Sequence, residues 1–141
     1  MTPLLDVNVL VALAWPNHDH HEDAHRWFAA ARDDWATCPQ TEAGFIRISM
    51  NARAVGQPIS APAAVALLDG IVTVGQHRFW EDATERGGLS LAVAQRVRGY
   101  RQVTDAQLLA VARAHGGVVA TFDRGLLEVA GEAGAVELVP G

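Results

Sequence analysis

Two groups of side chains in this sequence have the residue types and spacing for metal chemistry, and the more conspicuous is the segment HEDAH at residues 21–25. It places His21, Glu22 and His25 in the H-E-x-x-H pattern that is typical of zinc metalloproteases. On a helix this spacing puts two imidazoles one turn apart on one face, where both can bind zinc, while the glutamate can act as a general base. A zinc hydrolase is therefore one hypothesis.

The same segment also has a structural explanation. Asp19 followed three residues later by Glu22 resembles a capping box at the start of a helix. A third protein ligand for zinc would have to come from His77 or His115, and neither has supporting sequence context. The apolar residues that follow share one helical face and predict packing against a core: Ala24, Trp27, Phe28 and Ala31.

The second group consists of acidic residues far apart in the sequence. Asp6 follows the apolar run PLL, Asp123 follows VVATF, and Glu42 and Asp105 fall in the first turn of predicted helices. In an open parallel sheet, ligands bind beyond the carboxyl ends of the strands, where loops lead into helix N-termini. If these segments form such a sheet, we expect the four acids to meet at one edge.

Taken singly, most of these acids have an ordinary structural explanation. A carboxylate in the first turn of a helix complements the helix dipole, and aspartate after a strand is common turn chemistry. Asp6 is harder to explain in this way. It lies between PLL and VNVLVAL, where an unpaired ionised carboxylate would be costly.

The elements that must position these residues alternate between strand and helix. Strands are predicted at PLLD, WATC, QHRFW, GVVATF and AVELV, each apolar rather than alternating, with helical segments between them. This pattern predicts an α/β fold with a mainly parallel central sheet of about four to five strands flanked by helices. A length of 141 residues, half of them apolar, fits one domain spanning residues 1–141.

Several finer predictions concern the helices and loops. We expect one helix over residues 40–53, a second over 89–99, and a third introduced by Thr104 as its N-cap. Residues 81–90 contain the pair Gly87-Gly88 and predict a loop that is a candidate flap over a substrate.

Composition excludes several functions. All 11 basic residues are arginines, so chemistry that needs a lysine, such as the P-loop or a Schiff base, is absent. Cys38 is the single cysteine and cannot form an internal disulfide, and no apolar run approaches the ~20 residues that span a bilayer. We therefore expect a soluble, cytoplasmic protein.

The net charge of −5 argues against binding a nucleic acid unless positive charge is supplied locally.

The surroundings of the four acids carry a family resemblance. The segments LLDVNVLVAL, TEAGFIR, VTDAQLLAVAR and ATFDRGL occur in this order and at intervals that resemble the PIN-domain family, in particular the VapC-type toxins of bacterial toxin–antitoxin modules. The resemblance covers nearly the whole chain, although residues 54–100 are not diagnostic. It implies a PIN-like fold and a metal-dependent endoribonuclease that is inhibited by a cognate antitoxin and forms a homodimer.

The resemblance also implies roles for individual residues. Asp6, Glu42, Asp105 and Asp123 match the acidic quartet of the family, which holds Mg²⁺ or, as a substitute, Mn²⁺. A hard divalent cation suits such an all-oxygen site, because it offsets the repulsion between carboxylates and activates water for attack on a phosphodiester. Three further positions match polar residues that would orient carboxylate or water: Asn8, Thr104 and Thr121.

Some alternatives remain open at the level of sequence. The residues do not distinguish RNA from DNA, or one metal ion from two, and the preference for RNA comes from the resemblance. Arg124 is the arginine nearest to the quartet in sequence and is a candidate RNA contact. A non-catalytic α/β interaction module with structural acids is the third hypothesis, besides the nuclease and the zinc hydrolase.

Overall fold

The computed structural model describes residues 1–31, 34–81, 86–131 and 133–141. Its strands are β1 (Pro3–Leu5), β2 (Asp34–Thr37), β3 (Gln76–Phe79), β4 (Val118–Thr121) and β5 (Val136–Leu138). Its helices are α1 (Val7–Ala14), α2 (His21–Ala31), α3 (Pro39–Ser49), α4 (Ala52–Val55), α5 (Ala61–Ile71), α6 (Leu91–Ala94), α7 (Val103–Ala114) and α8 (Gly125–Ala130). Three short 3₁₀ turns lie at Arg86–Gly88, Tyr100–Gln102 and Ala133–Ala135.

The five strands form one parallel sheet in the order β3-β2-β1-β4-β5, which confirms the predicted α/β class. Leu4 of β1 pairs with Ala36 of β2 on one side and with Val119 of β4 on the other. The chain leaves β1 towards β2 and later returns to place β4 on the opposite side. The carboxyl ends of β1 and β4 therefore flank the point where the direction of winding reverses, which is where open parallel sheets bind ligands.

The sheet has a hydrophobic core on each face, because successive strand residues point to opposite sides. Leu4 and Val119 contact one core, which contains residues of α6, α7 and α8. Leu5 and Ala120 contact the other, which contains residues of α1, α2, α3 and α5. The result is three layers, with helices on both faces of the sheet.

The prediction that every strand is apolar is wrong for β3. Its residues Gln76, Arg78 and Phe79 are exposed and His77 is partly buried, because β3 is the last strand at one side of the sheet. Pairing with β2 through Trp35 and His77, together with three neighbouring pairs, makes this polar segment a strand.

Several predicted helix limits are also wrong. The helix predicted over 40–53 is two helices: α3 begins at Pro39 and ends at Ser49, and α4 follows with Asn51 as its N-cap. Only Leu91–Ala94 is α-helical within 89–99. Thr104 lies inside α7, which begins at Val103 directly after a 3₁₀ turn, so it does not cap the helix. In the 81–90 loop, residues 82–85 lie outside the described ranges.

Candidate active site at the carboxyl edge of the sheet

Asp6 is a buried carboxylate at the junction of β1 and α1. Its Oδ1 accepts a hydrogen bond from the backbone N–H of Val7 at 2.7 Å, which caps α1, and its Oδ2 accepts one from Thr121 Oγ1 at 2.7 Å. Burial raises the pKa of Asp6, and the hydrogen bonds from Thr121 and Val7 oppose that increase. Asp6, whose apolar neighbours in the sequence made an unpaired carboxylate costly, therefore has a hydrogen-bond donor for each carboxylate oxygen. These two bonds hold its side chain in one orientation.

The hydroxyl of Thr121, the last residue of β4, connects Asp6 to two further residues. While donating to Asp6, Thr121 Oγ1 accepts hydrogen bonds from Asn8 Nδ2 at 3.2 Å and from the backbone N–H of Asp123 at 3.0 Å. The other end of the Asn8 amide, Oδ1, accepts the backbone N–H of Phe122 at 3.4 Å. The loop after β4 is thus tied to the loop after β1, which brings Asp123 next to Asp6.

Asp105 lies half-buried in the first turn of α7. Its pKa is raised to about 6, first by burial and then by the negative charges of Asp6 and Asp123. Asp123 also contributes to the raised pKa of Asp6. The structure therefore brings these three aspartates, from the ends of β1 and β4 and the start of α7, into one electrostatic group.

Glu42 lies at the neighbouring strand end and has different partners. It is partly buried in the first turn of α3, after β2, and its Oε2 accepts a hydrogen bond from Thr37 Oγ1 at 2.6 Å. Thr37 Oγ1 also lies 2.7 Å from His77 Nε2 on β3. Glu42 and the three aspartates thus share the carboxyl edge of the sheet, but Glu42 is held by a separate set of hydrogen bonds.

The position of α3 depends on a glycine. A Cβ on Gly44 would lie 2.6 Å from Val7 Cγ2, so any side chain there would have to displace that valine. Gly44 therefore permits α3, which carries Glu42, to approach the start of α1, which carries Asp6. Pro39 at the start of α3 and the reciprocal cap between Cys38 and Thr41 fix where that helix begins.

Other predicted residues have weaker structural connections to the aspartates. Arg124 is exposed at the N-terminus of α8, next to Asp123, so contact between its guanidinium and a substrate phosphate remains a prediction. Thr104 is exposed beside Asp105, and its proposed orienting role is also untested. A cavity of ≈ 210 Å³ lies at the opposite edge of the sheet, where Met1 and Gly117 precede β1 and β4, and its lining includes none of the four acids.

The histidines of the HEDAH segment contact the end of another helix. His21 Nδ1 lies 2.7 Å from the carbonyl oxygen of Ala12, and His25 Nε2 lies 2.7 Å from that of Leu13. Both carbonyls belong to the last turn of α1, where the helix itself supplies no donor, so each imidazole donates an N–H to them. The first intrahelical bond of α2, from Ala24 N–H to the carbonyl of His20, also shows that the predicted cap at Asp19 is wrong.

Thr37 and His77 were not predicted to belong to this site. The available signal was the resemblance between WAT, which ends β2, and VVAT, which ends β4, since each places a threonine hydroxyl at a strand end near a carboxylate. The part played by His77 depends on the alignment of β2 with β3 and has no comparable signal in the sequence.

The donor set fits a hard divalent cation. All four acids offer oxygen ligands, and the negative charges of Asp6 and Asp123, which after burial raise the pKa of Asp105, would be offset by such a cation. Within the described ranges, no group of three or more histidine, cysteine, aspartate or glutamate side chains is placed to hold a metal ion as it stands. Shared coordination therefore requires side-chain adjustment, and the exposed Asp123 and half-buried Asp105 have room for it.

No helix in the described ranges has the length and apolar character needed to span a membrane.

Comparison with known proteins is consistent with this arrangement. The family model for the PIN domain matches residues 4–132. Ribonuclease VapC39 of Mycobacterium tuberculosis is 46% identical over 141 residues, which cover 99% of this chain and 100% of that protein. Ribonuclease VapC38 of the same species is 45% identical over 128 residues, covering 90% of this chain and 89% of that protein.

A solved structure is similar as well. The crystal structure of Mycobacterium tuberculosis VapC20, described as a sarcin–ricin loop cleaving toxin, has a TM-score of 0.67 to this chain at 22% identity. The comparison covers 99% of this chain and 100% of that one, and it supports the fold. With the family model matching nearly the whole chain, and relatives 45–46% identical over most or all of their length, this protein belongs to the PIN-domain family and is of the VapC type.

Proposed function

We propose that this protein is the toxin of a type II toxin–antitoxin system and acts as an endoribonuclease that hydrolyses RNA phosphodiester bonds with Mg²⁺, for which Mn²⁺ can substitute. The catalytic edge is the one that carries Asp6, Glu42, Asp105 and Asp123. The observation that supports this best is the grouping of Asp6, Asp105 and Asp123, in which burial, and after it the negative charges of Asp6 and Asp123, raise the pKa of Asp105 to about 6. Carboxylates grouped in this way repel each other and destabilise the metal-free fold. A site that binds a divalent cation needs such a group of carboxylates, which explains why they lie together.

In this proposal, Asp6 and Asp105 are direct ligands of the ion, and Glu42 and Asp123 act through water or on a second ion. When bound, the ion supplies Lewis acidity, which activates water and neutralises charge on the scissile phosphate. Thr121 fixes the orientation of Asp6 through the hydrogen bond to Oδ2 and holds the Asp123 backbone, while Asn8 fixes Thr121.

The substrate class follows from charge and from the relatives. Because the protein has a net charge of −5, positive charge must come from the ion and from nearby arginines, of which Arg124 is next to Asp123. Relatives at 45–46% identity are named ribonucleases, which favours RNA over DNA for this chain. We further propose that the protein acts in the cytoplasm as a homodimer and that a cognate antitoxin covers the acidic edge.

The decisive experiment is cleavage of total cellular RNA by metal-stripped protein after addition of Mg²⁺, Mn²⁺ or Zn²⁺. Wild type is compared with Asp6→Asn, which preserves the size of the side chain, and with a His21→Ala/His25→Ala double variant. We expect Mg²⁺ or Mn²⁺ to restore cleavage in wild type and in the histidine variant, and Asp6→Asn to be inactive.

Two results would contradict the proposal. Zinc-dependent activity lost only in the histidine variant would favour the zinc hydrolase. Absence of RNA cleavage under every metal condition, in a wild-type protein that melts cooperatively, would favour the non-catalytic interaction module. A single-stranded DNA of matched length, tested in parallel, distinguishes a general phosphodiesterase from a ribonuclease.

A further inference from the structure

His77, Thr37 and Glu42 form a continuous chain of hydrogen bonds across three elements of the fold. His77 belongs to β3, Thr37 ends β2, and Glu42 lies in the first turn of α3. The two links are short, at 2.7 Å from His77 Nε2 to Thr37 Oγ1 and 2.6 Å from Thr37 Oγ1 to Glu42 Oε2. Thr37 is fully buried, so these are the contacts that satisfy its hydroxyl away from water.

The number of hydrogens on each group fixes the direction of this chain. An ionised carboxylate can only accept, so the single hydroxyl hydrogen of Thr37 goes to Glu42. Thr37 Oγ1 is then an acceptor towards His77, which must carry its hydrogen on Nε2. The chain is therefore His77 Nε2–H to Thr37 O–H to Glu42 carboxylate, with every donor pointing towards the acid.

The ring of His77 is held in place by its surroundings. The fully buried indole of Trp35 lies 4.7 Å away, centroid to centroid, and Trp35 is itself fixed by a hydrogen bond from Nε1 to the carbonyl of Val74 at 2.8 Å. Burial lowers the pKa of His77, with an opposing effect from Glu42, so the neutral ring predominates at neutral pH. The hydrogen bonds require a hydrogen on Nε2, and in the neutral ring this leaves Nδ1 without one.

We infer that His77 and Thr37 are positioning residues that hold the Glu42 carboxylate by its Oε2 in one orientation at the carboxyl edge of the sheet. Asp6 is oriented through one of its two oxygens by Thr121 in the same manner. Thr37 at the end of β2 and Thr121 at the end of β4 thus each donate a hydrogen bond that orients one carboxylate, Glu42 and Asp6 respectively. This inference rests on the proposed metal-dependent ribonuclease function, since it assigns a role to Glu42 in that site.

The first test is the protonation state of the ring in the full-length, metal-free protein. Long-range ¹H–¹⁵N correlation spectra at pH 8 report which imidazole nitrogen carries hydrogen, and the His77 signals are those missing from His77→Gln. We expect Nε2–H in wild type and loss of that preference in Thr37→Val, which keeps the side-chain shape and removes the acceptor. A His77 ring protonated on Nδ1 in wild type would overturn the inference.

The second test measures Mn²⁺ affinity and cleavage kinetics. We expect Thr37→Val and His77→Phe to weaken Mn²⁺ binding roughly 10-fold and to lower kcat by a comparable factor, as for other residues that orient metal ligands. Thr37→Ser retains the hydroxyl, and His77→Gln retains an N–H donor, so both should remain close to wild type. Thermal melting in EDTA identifies any variant whose loss reflects unfolding.

The outcomes separate this inference from the proposed function. A wild type that neither binds Mn²⁺ nor cleaves RNA would overturn the ribonuclease proposal and, with it, the role of the chain. A wild type that cleaves RNA, beside a Thr37→Val variant of equal kcat and Mn²⁺ affinity, would overturn the positioning role alone. Selective loss in Thr37→Val and His77→Phe, with recovery in Thr37→Ser and His77→Gln, would support it.

Discussion

Replacing Asp105 with asparagine should stabilise the metal-free protein while weakening its response to metal. The pKa of Asp105 is raised from 3.8 to about 6, by burial and by the charges of Asp6 and Asp123. Because this folded-state value exceeds that of the unfolded chain, the carboxyl group lowers the free energy of unfolding as the pH rises above about 4, and the loss is complete above about pH 6. Asparagine has nearly the same shape and removes the charge.

The magnitude follows from the two pKa values. At about 1.4 kcal/mol for each pH unit between them, the upper bound is about 3 kcal/mol. Asp105 is half-exposed, so solvent screening reduces this to about 1–2 kcal/mol, and loss of a first-turn carboxylate from α7 offsets a further ~0.5 kcal/mol. We therefore expect Asp105→Asn to raise the free energy of unfolding by about 1 kcal/mol at pH 8, or Tm by about 3–5 °C.

Thermal and urea unfolding in EDTA at pH 5 and pH 8, each repeated with Mn²⁺ in place of EDTA, provides the assay. The gain from Asp105→Asn should be complete at pH 8 and about half as large at pH 5, where the carboxyl group is mostly protonated in the folded protein but already ionised in the unfolded chain. Mn²⁺ should raise the Tm of wild type but have little effect on the variant. Asp69→Asn, at an exposed position of α5, is the matched control and should change neither quantity. A variant less stable than wild type at pH 8 in EDTA would refute the electrostatic reasoning.

Three further substitutions test other parts of the site. Thr121→Val should destabilise the fold by about 1–3 kcal/mol and weaken Mn²⁺ binding, since it leaves a buried carboxylate short of a donor, and urea unfolding with Mn²⁺ titration measures both. Gly44→Ala should lower the free energy of unfolding by about 1–3 kcal/mol and reduce RNA cleavage, because a Cβ at this position meets Val7. Gly70→Ala, which has open space around it, is the control and should be neutral or stabilising when both variants are compared by urea unfolding. His21→Ala/His25→Ala should lower Tm by several degrees through unpaired carbonyls of α1, yet retain Mn²⁺-dependent cleavage per folded molecule; cleavage lost without a change in Tm would contradict the capping role.

The parts of the fold that follow from local rules were predictable. The change from strand to helix depends on residues that are close in sequence. The positions of Asp6 and Asp123 after strands, and of Glu42 and Asp105 in first turns of helices, could therefore be predicted. The parallel sheet followed from the alternation of strands with helices.

Features that depend on contacts between distant segments were not predictable. The cap at Thr104 was predicted wrongly because a 3₁₀ turn leads directly into α7, so the helix begins one residue earlier, at Val103. The capping rule looks for a hydroxyl before a helix and takes no account of such a preceding turn. The hydrogen bond from His77 to Thr37 depends on the alignment of β2 with β3. The raised pKa of Asp105 likewise depends on how closely α7 approaches the ends of β1 and β4.

The histidine pair of α2 has a consequence for how short motifs are used to assign enzymes. Side chains four residues apart on a helix are separated by about 5–6 Å between Cβ atoms, which suits two ligands of one zinc ion. In this protein the same spacing allows two imidazoles to reach successive carbonyl oxygens at the end of a neighbouring helix. An H-E-x-x-H match therefore specifies a pair of hydrogen-bonding groups on one face, and its target can be backbone as readily as metal. Genome surveys that rely on this motif should require a third ligand and should also search for a helix C-terminus within reach of the two rings.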